Sequence, residues 1–250
     1  MAKSPNDSYI GLSDNYHYLS EIFDQYIGIK YYDYIRGQFK ILTEKLSLGA
    51  RHLDVGCGTG NLLEYSYDLG FNVKGIDVSP SMIRVASAKL NSNIDLSCKS
   101  LFDLTNKNWD IITANNDVLN YLAIDYSLVY IFDIISNLLS QNGIFYGDIV
   151  SDKDILQNWE DSTHTYSDSK TFQCKVTYKI QDQIEPRGLV ERDWKLRVNN
   201  KWIRQNPEIE VLRGISVDEI ISAAKDNNLS VNLSEFPNGN IQIILKKYKV

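Results

Sequence analysis

No apolar run in this sequence approaches the roughly 18 residues that a membrane-spanning helix needs. Its start, MAKSPNDSYI, has no apolar signal core either. Cysteine is scarce: Cys57, Cys98 and Cys174 are far apart and odd in number, so they fit neither a disulfide framework nor a zinc site. His17, His52 and His164 are equally scattered, and no metal site is expected. Positive charge is in deficit, with 26 Lys and Arg against 32 Asp and Glu, a formal net charge of -6. That removes a global basic field for nucleic acid. Secreted knots, membrane proteins and structural zinc modules are thereby excluded. What the chain does have is length and apolar content. Its 250 residues, 43% hydrophobic and 23% charged, supply one sizeable core, or a core plus a small subdomain, and are not the composition of a disordered chain. A soluble cytoplasmic α/β protein is the starting expectation.

The pattern along the chain divides it into three parts. Residues 1–8 are polar, and 9–48 read as helix, with Leu19, Ile22, Phe23 and Tyr26, then Ile35, Phe39 and Leu42, at helical spacing. Seven tyrosines crowd this stretch: Tyr9, Tyr16, Tyr18, Tyr26, Tyr31, Tyr32 and Tyr34. Half-buried packing explains them, and so does a lid that stacks on a ligand; spacing alone favours packing. Residues 49–154 and 214–250 alternate short apolar strands with helices, the signature of a parallel sheet covered on both faces. Strands are expected at 52–55, 72–76, 94–98, 110–114 and 144–149. Ser79-Pro80 opens a helix, and Asn142-Gly143 closes the helix that starts at Leu128. Between 155 and 213 the period changes to two, at Phe172, Cys174, Val176, Tyr178 and Ile180 and again at Val190, Arg192, Trp194, Leu196 and Val198. Asn199-Asn200 turns into a third strand broken by Pro207, giving an inserted antiparallel β-meander that serves as substrate cover or oligomer contact. Ser216-Val-Asp-Glu219 is a capping box, and the strands 229–236 and 241–248 form a closing hairpin around Pro237-Asn-Gly-Asn240.

The informative segment is Leu53-Asp54-Val55-Gly56-Cys57-Gly58-Thr59-Gly60, where a strand gives way to a helix. Glycines let the backbone turn sharply and approach a ligand. The helix start offers unpaired N–H groups. Asp77 ends the next strand about 20 residues on, the place from which a carboxylate accepts hydrogen bonds from ribose hydroxyls. The dinucleotide fingerprint is G-x-G-x-x-G, but here the third glycine comes one residue early. Asp54, two residues before the first glycine, would repel a pyrophosphate and attract an ammonium group. S-adenosylmethionine carries an α-ammonium and a sulfonium, whereas a nicotinamide dinucleotide carries the pyrophosphate.

With these motifs in hand, the chain resembles the class I S-adenosylmethionine-dependent methyltransferases of small-molecule type. The stretches that carry the likeness are Tyr16-His-Tyr-Leu-Ser-Glu-Ile-Phe-Asp24, His52 to Gly60, Gly75-Ile-Asp-Val-Ser-Pro-Ser-Met82 and Trp109 to Leu122. The insert and final hairpin are similar to those of amino-sugar N-methyltransferases and their relatives. The resemblance implies a Rossmann-like, doubly wound seven-stranded sheet with an antiparallel last strand. It implies that Asp54, Gly56, Cys57, Gly58 and Gly60 hold the methionine end of the cofactor. Asp77 would hold the ribose, Val78 and Met82 would sandwich the adenine, and Ser100 and Leu101 would line its edge. Asn115 would contribute backbone near the methionine, and Tyr16 would close the lid. Three positions depart from the family. Ser100 stands where an acidic residue often reads the adenine amino group, Phe23 replaces a lid tyrosine, and 208–216 holds no histidine.

The acceptor is then a small metabolite methylated on nitrogen or oxygen, with no nucleic-acid or membrane partner. A neutral amine needs only to lose its proton before attack, whereas a hydroxyl needs a base. The candidates are Asp117 and Tyr121 after the fourth strand, His17 in the lid and Asp148 at the end of the fifth strand. Asp117 and Asp148 have capping alternatives, and His17 an alternative as a solvated helix residue. His164 reads as a loop residue and His52 as structural. Arg187, Arg192, Arg197 and Arg213 suit a phosphate or carboxylate on the substrate, or a solvated β surface. A catalytically inactive cofactor-binding subunit and, less favoured by the glycine spacing, an NAD-type oxidoreductase are the rival functions. Pairing of two copies through an edge strand of the insert would give a homodimer.

Overall fold

Short strands without polar alternation must be covered on both faces, and the chain achieves this with helices on either side of one central sheet. The computed structural model describes residues 14–24, 29–160, 162–168, 170–236 and 239–248. The central strands are β1 (Arg51–Val55), β2 (Asn72–Asp77), β3 (Asp95–Cys98), β4 (Trp109–Ala114) and β5 (Leu139–Ile149). A second, antiparallel group follows: β6 (Thr163–Ser167), β7 (Phe172–Asp182), β8 (Arg187–Val198), β9 (Lys201–Arg204) and β10 (Glu208–Arg213). β11 (Leu229–Glu235) and β12 (Ile241–Lys247) return to the first sheet. Its order is β11-β12-β5-β4-β1-β2-β3, seven strands, with β12 antiparallel to both of its neighbours and β1 to β5 parallel. The direction of strand addition reverses between β1 and β4. Doubly wound sheets bind ligands at the carboxyl ends of the strands at such a reversal.

The helices are α1 (Leu19–Ile22), α2 (Ile29–Thr43), α3 (Asn61–Asp68), α4 (Pro80–Lys89), α5 (Val118–Leu122), α6 (Leu128–Leu138), α7 (Asp152–Asn158) and α8 (Val217–Asp226). One face of the sheet packs on α6 and α8 through Phe132, Ile135 and Ala223. The other packs on α2 and α3 through Ile35, Phe39 and Leu63. A third apolar cluster joins Leu19, Phe23 and Tyr32 of the N-terminal helices to Met82 of α4 and Trp194 of β8. Among the described residues no helix is long and apolar enough to cross a membrane.

The expected seven strands, the Ser79 cap and the Asn199-Asn200 turn are all present: Ser79 accepts from the Met82 N–H, and both asparagines have positive φ. Three expectations are corrected. The helix expected over 9–48 is shorter among the described residues, with a turn at 15–18 before Leu19 and an end at Thr43; residues 1–13 and 25–28, with Tyr9 and Tyr26, lie outside the described residues. Asn142-Gly143 does not end α6. Leu139 takes an extended conformation directly after Leu138, and Asn142-Gly143 lies within β5, where the register to β4 shifts. Gly143 is needed there because a Cβ would stand 2.7 Å from the Trp109 carbonyl oxygen. The insert sheet has five strands rather than three, the third being split at Pro207, which lacks the N–H a ladder requires. β6 left no sequence signal because Thr-His-Thr-Tyr-Ser is polar on both faces. Pro237 and Asn238 of the final turn lie outside the described residues.

Candidate functional site

The site begins where β1 runs out. Gly56, Gly58 and Gly60 all have φ in the left-handed region, at 66°, 54° and 81°. A Cβ on Gly56 would come within 2.4 Å of Val118, and on Gly60 within 2.4 Å of Leu90, so these two serve packing. A Cβ on Gly58 would meet only ordinary van der Waals contacts, the Met82 sulfur at 3.9 Å and the Tyr32 hydroxyl at 4.0 Å, so the positive φ and not crowding calls for glycine there. Asp77, at the end of β2, braces the loop. Its Oδ2 accepts the Gly58 N–H at 2.8 Å and its Oδ1 the Ser79 N–H at 2.8 Å. Burial pushes its carboxyl up to about 6. Each oxygen retains a lone pair for a further donor.

Asp54 is 4% exposed and receives a 2.5 Å hydrogen bond from the Thr113 hydroxyl. Burial, reinforced by the charge of Asp77, pushes it up to about 7, and no cation is among the groups that act on it. Asn115, just past β4, is buried, and both polar atoms of its amide lack a partner. An orphaned buried amide costs about 1–3 kcal/mol. A buried carboxylate without a cation and an orphaned amide beside the glycine loop suit one ligand with a cationic end. These residues fit the methionine end of S-adenosylmethionine.

The remaining expected cofactor residues are less uniform. Met82 is buried against Phe23 and Tyr32, Val78 is exposed, and Leu101 is buried. Ser100 closes a capping box on the 3-10 turn Leu101–Asp103, and Asp103 is spent on the Ser100 N–H rather than on an adenine. Cys57 is buried and its thiol is pushed well up, so it is no nucleophile.

The neighbours of Tyr16 are tied to α4, to the glycine loop and to the insert. Asp14 accepts from the Ser79 hydroxyl and the Ser81 N–H at 2.8 and 2.9 Å. Asp24 accepts from Thr59, from Asn61 and from Lys89. From the insert, Glu208 accepts the Tyr18 and Leu19 N–H groups at 2.6 and 3.4 Å and the Trp194 indole N–H at 2.8 Å. Burial pushes Glu208 up to about 7. Tyr16 and Tyr121 pack in one apolar cluster, Tyr121 donates to Glu210 at 2.7 Å, and Arg192 grips both Glu210 oxygens at 2.5 and 3.2 Å. These contacts join the N-terminal segment, the core and the insert.

Asp117 and Asp148 form a second cluster beside them. The Asn240 amide donates to Asp117 at 3.0 Å and to Asp148 at 3.2 Å. Tyr31 donates to Asp148 at 2.8 Å, and the Asp117 N–H reaches it at 3.3 Å. Burial raises both carboxyls, and Asp148 and Glu210 raise Asp117 further. The structure therefore brings together Asp117, Tyr121 and Asp148. It leaves His17 apart, exposed and 3.4 Å from the Ser81 hydroxyl. His164 is exposed on β6. The arginines pair within the chain: Arg187 with Glu185, Arg192 with Glu210, Arg213 with Glu219, and Arg197 over the Trp202 ring. A groove of about 460 Å³ between the α5–α6 connection, the β7–β8 turn and α8 is lined by Arg187 and Arg213 and by none of the expected cofactor or catalytic residues. Among the described residues no cluster of His, Cys, Asp and Glu could hold a metal ion.

Sequence reasoning missed Glu208, Glu210, Tyr31 and Asn240. The first two did carry a signal. In Glu-Ile-Glu-Val-Leu-Arg the carboxylates alternate with apolar residues, and it is the carboxylates that are buried while Ile209 is exposed.

Comparison with known proteins follows the same lines. Residues 53–143 match a family model described as a methyltransferase domain. A putative methyltransferase of Geobacillus sp. strain WCH70 is 32% identical over 124 residues, 48% of this chain and 50% of that protein, so the chain spans about half the length of this curated relative. The fold is similar to that of a crystal structure of an S-adenosylmethionine-dependent methyltransferase from Clostridium acetobutylicum, with TM-score 0.78, 23% identity and coverage of 94% of this chain and 99% of that one. It is also similar to S-adenosylmethionine-bound CalS10, an amino pentose methyltransferase from Micromonospora echinaspora, with TM-score 0.69, 16% identity and coverage of 88% and 91%.

Proposed function

We propose that this chain, a methyltransferase-domain protein through residues 53–143, moves a methyl group from S-adenosylmethionine to a nitrogen or oxygen of a small metabolite. The bound cofactor supplies a methyl already activated by its sulfonium. The protein's task is to hold the acceptor in line with that methyl and to exclude water; such orientation contributes up to about 7–11 kcal/mol in well-oriented model reactions. Asp54 and the loop Gly56–Gly60 would hold the methionine end, Asp77 the ribose, and Val78, Met82, Ser100 and Leu101 the adenine. The Asn115 amide is a further polar contact for the amino-acid end.

The observation that carries the reading is the set of contacts Tyr18–Glu208 and Tyr121–Glu210–Arg192, which joins the N-terminal segment, the core and the insert. A site bounded in this way suits an acceptor small enough to be enclosed. Its lining favours an amine. Asp117, Asp148 and Glu210 outnumber Arg192, so a protonated amine is attracted, and the buried pair Asp117 and Asp148 can take its proton before attack. CalS10 acts on an amino pentose, and amino sugars are the first acceptors to test. The experiment is release of S-adenosylhomocysteine with a panel of amino sugars, simple amines and their hydroxyl counterparts, with tRNA and DNA alongside. Turnover on an amine supports the reading in full; turnover only on nucleic acid would overturn the small-molecule claim.

A further inference from the structure

Four polar side chains lie in a line beneath the glycine loop. Strand alternation sends His52 and Asp54 of β1 to one face, β4 sets Thr113 opposite Asp54, and α3 supplies Ser66. The Ser66 oxygen is 2.9 Å from His52 Nδ1, His52 Nε2 is 2.8 Å from the Thr113 oxygen, and that oxygen is 2.5 Å from Asp54 Oδ1. All four residues are buried, and the Phe39 ring packs against the imidazole.

Counting protons fixes the direction of this line. An ionised Asp54 only accepts, and Thr113 has one hydroxyl hydrogen. Thr113 therefore donates to Asp54 and accepts from His52, so His52 carries its proton on Nε2. Nδ1 is then an acceptor, and Ser66 must donate to it. Burial pushes the imidazole down to about 3, which excludes a charged ring donating from both nitrogens.

We infer that His52 is a positioning residue: with Ser66 and Thr113 it delivers one fixed donor to Asp54 Oδ1, which favours the ionised carboxylate and leaves Oδ2 for the ammonium end of the methyl donor. The inference rests on the cofactor reading above. The other groups that face Asp54 do not help it ionise. Asp77 on β2 repels it, and Tyr32 on α2 and Cys57 in the loop bring no positive charge. Loss of the donor line raises Asp54 further, so that a neutral acid meets the ammonium near neutral pH.

The test is calorimetric binding of S-adenosylhomocysteine and of 5′-methylthioadenosine, which lacks the amino-acid end, to wild type, His52→Leu, His52→Gln and Thr113→Val at pH 6.5 and 8. An Asp54 raised by one pKa unit weakens S-adenosylhomocysteine about tenfold at most. The expected result is a loss approaching that size at pH 6.5, a smaller loss at pH 8, and unchanged methylthioadenosine for His52→Leu and Thr113→Val. His52→Gln, whose amide can donate to Thr113, recovers most of the loss. Thr113→Val keeps the side-chain shape and carries the test where His52→Leu does not fold. Equal losses for both ligands, or none for either, would overturn the inference while leaving the cofactor reading in place. Failure of wild type to bind S-adenosylhomocysteine would sink both. A ¹⁵N spectrum showing His52 protonated on Nδ1 at pH 8 would also overturn it.

Discussion

The two halves of the proposed site are built in opposite ways. On the proposed cofactor side, the contacts of Asp77 are close in sequence. Asp77 receives Ser79 two residues away and Gly58 nineteen residues away, across a single strand–helix–strand unit. On the proposed acceptor side, Tyr18 meets Glu208 at a separation of 190 residues, Tyr121 meets Glu210 at 89, and Asn240 meets Asp117 at 123. The first half is a local solution that a motif can encode. The second exists only once the insert and the N-terminal segment have docked on the core. Stability and function are therefore entangled on the acceptor side and separable on the cofactor side.

The strongest way to break the comparison is at the insert. Arg192→Met leaves Glu210 buried without its cation, a change that costs about 3–5 kcal/mol. Denaturant unfolding should show that loss, and an unfolding free energy within error of wild type would mean that the contacts across the three segments are ornamental. On the cofactor side, Asp77→Ala removes the acceptor of two backbone N–H groups and the proposed ribose contact. It should weaken S-adenosylhomocysteine binding by about 1–3 kcal/mol, with a smaller effect on unfolding than Arg192→Met. Unchanged affinity removes Asp77 from the site.

A pH series sharpens the contrast further. Asp54 has a folded pKa of about 7, above its ordinary 3.8. Below pH 3.8 it is neutral in both states and has no effect on the balance. As pH rises toward 7 the unfolded chain ionises first, so Asp54 progressively disfavours the fold. Asp54→Asn should gain stability relative to wild type between about pH 4 and 7, with a plateau above. A difference that shrinks with pH would contradict the assignment. The smallest effect belongs to the exposed pair Arg84 and Glu21, both more than half exposed. Arg84→Ala should change thermal unfolding by no more than the ~0–1 kcal/mol typical of surface pairs.

How much was legible in the sequence follows the same division. The glycine loop, Asp54, Asp77 and the Ser79 cap stand on consecutive short elements, and residue type with spacing sufficed to place them. The sheet with its antiparallel end was legible for the same reason, since apolar strands alternate with helical periods. Glu208 and Glu210 were passed over because a buried carboxylate on a strand inverts the usual pattern, and their partners lie far away in the chain. His52 read as structural because its partners are a serine on a helix and a threonine on another strand, which no spacing rule connects. His17 shows the converse: its place beside Tyr16 in the N-terminal motif pointed to the site, but the turn that precedes α1 leaves it exposed.

The measurement that tests the account most directly is calorimetric titration of the protein with S-adenosylmethionine and S-adenosylhomocysteine, with NAD as control. The account predicts binding of the first two and none of NAD, with affinity for S-adenosylhomocysteine falling as pH drops below about 7, where Asp54 takes up its proton. Silence toward both sulfur ligands, repeated in the presence of candidate amines, would contradict it.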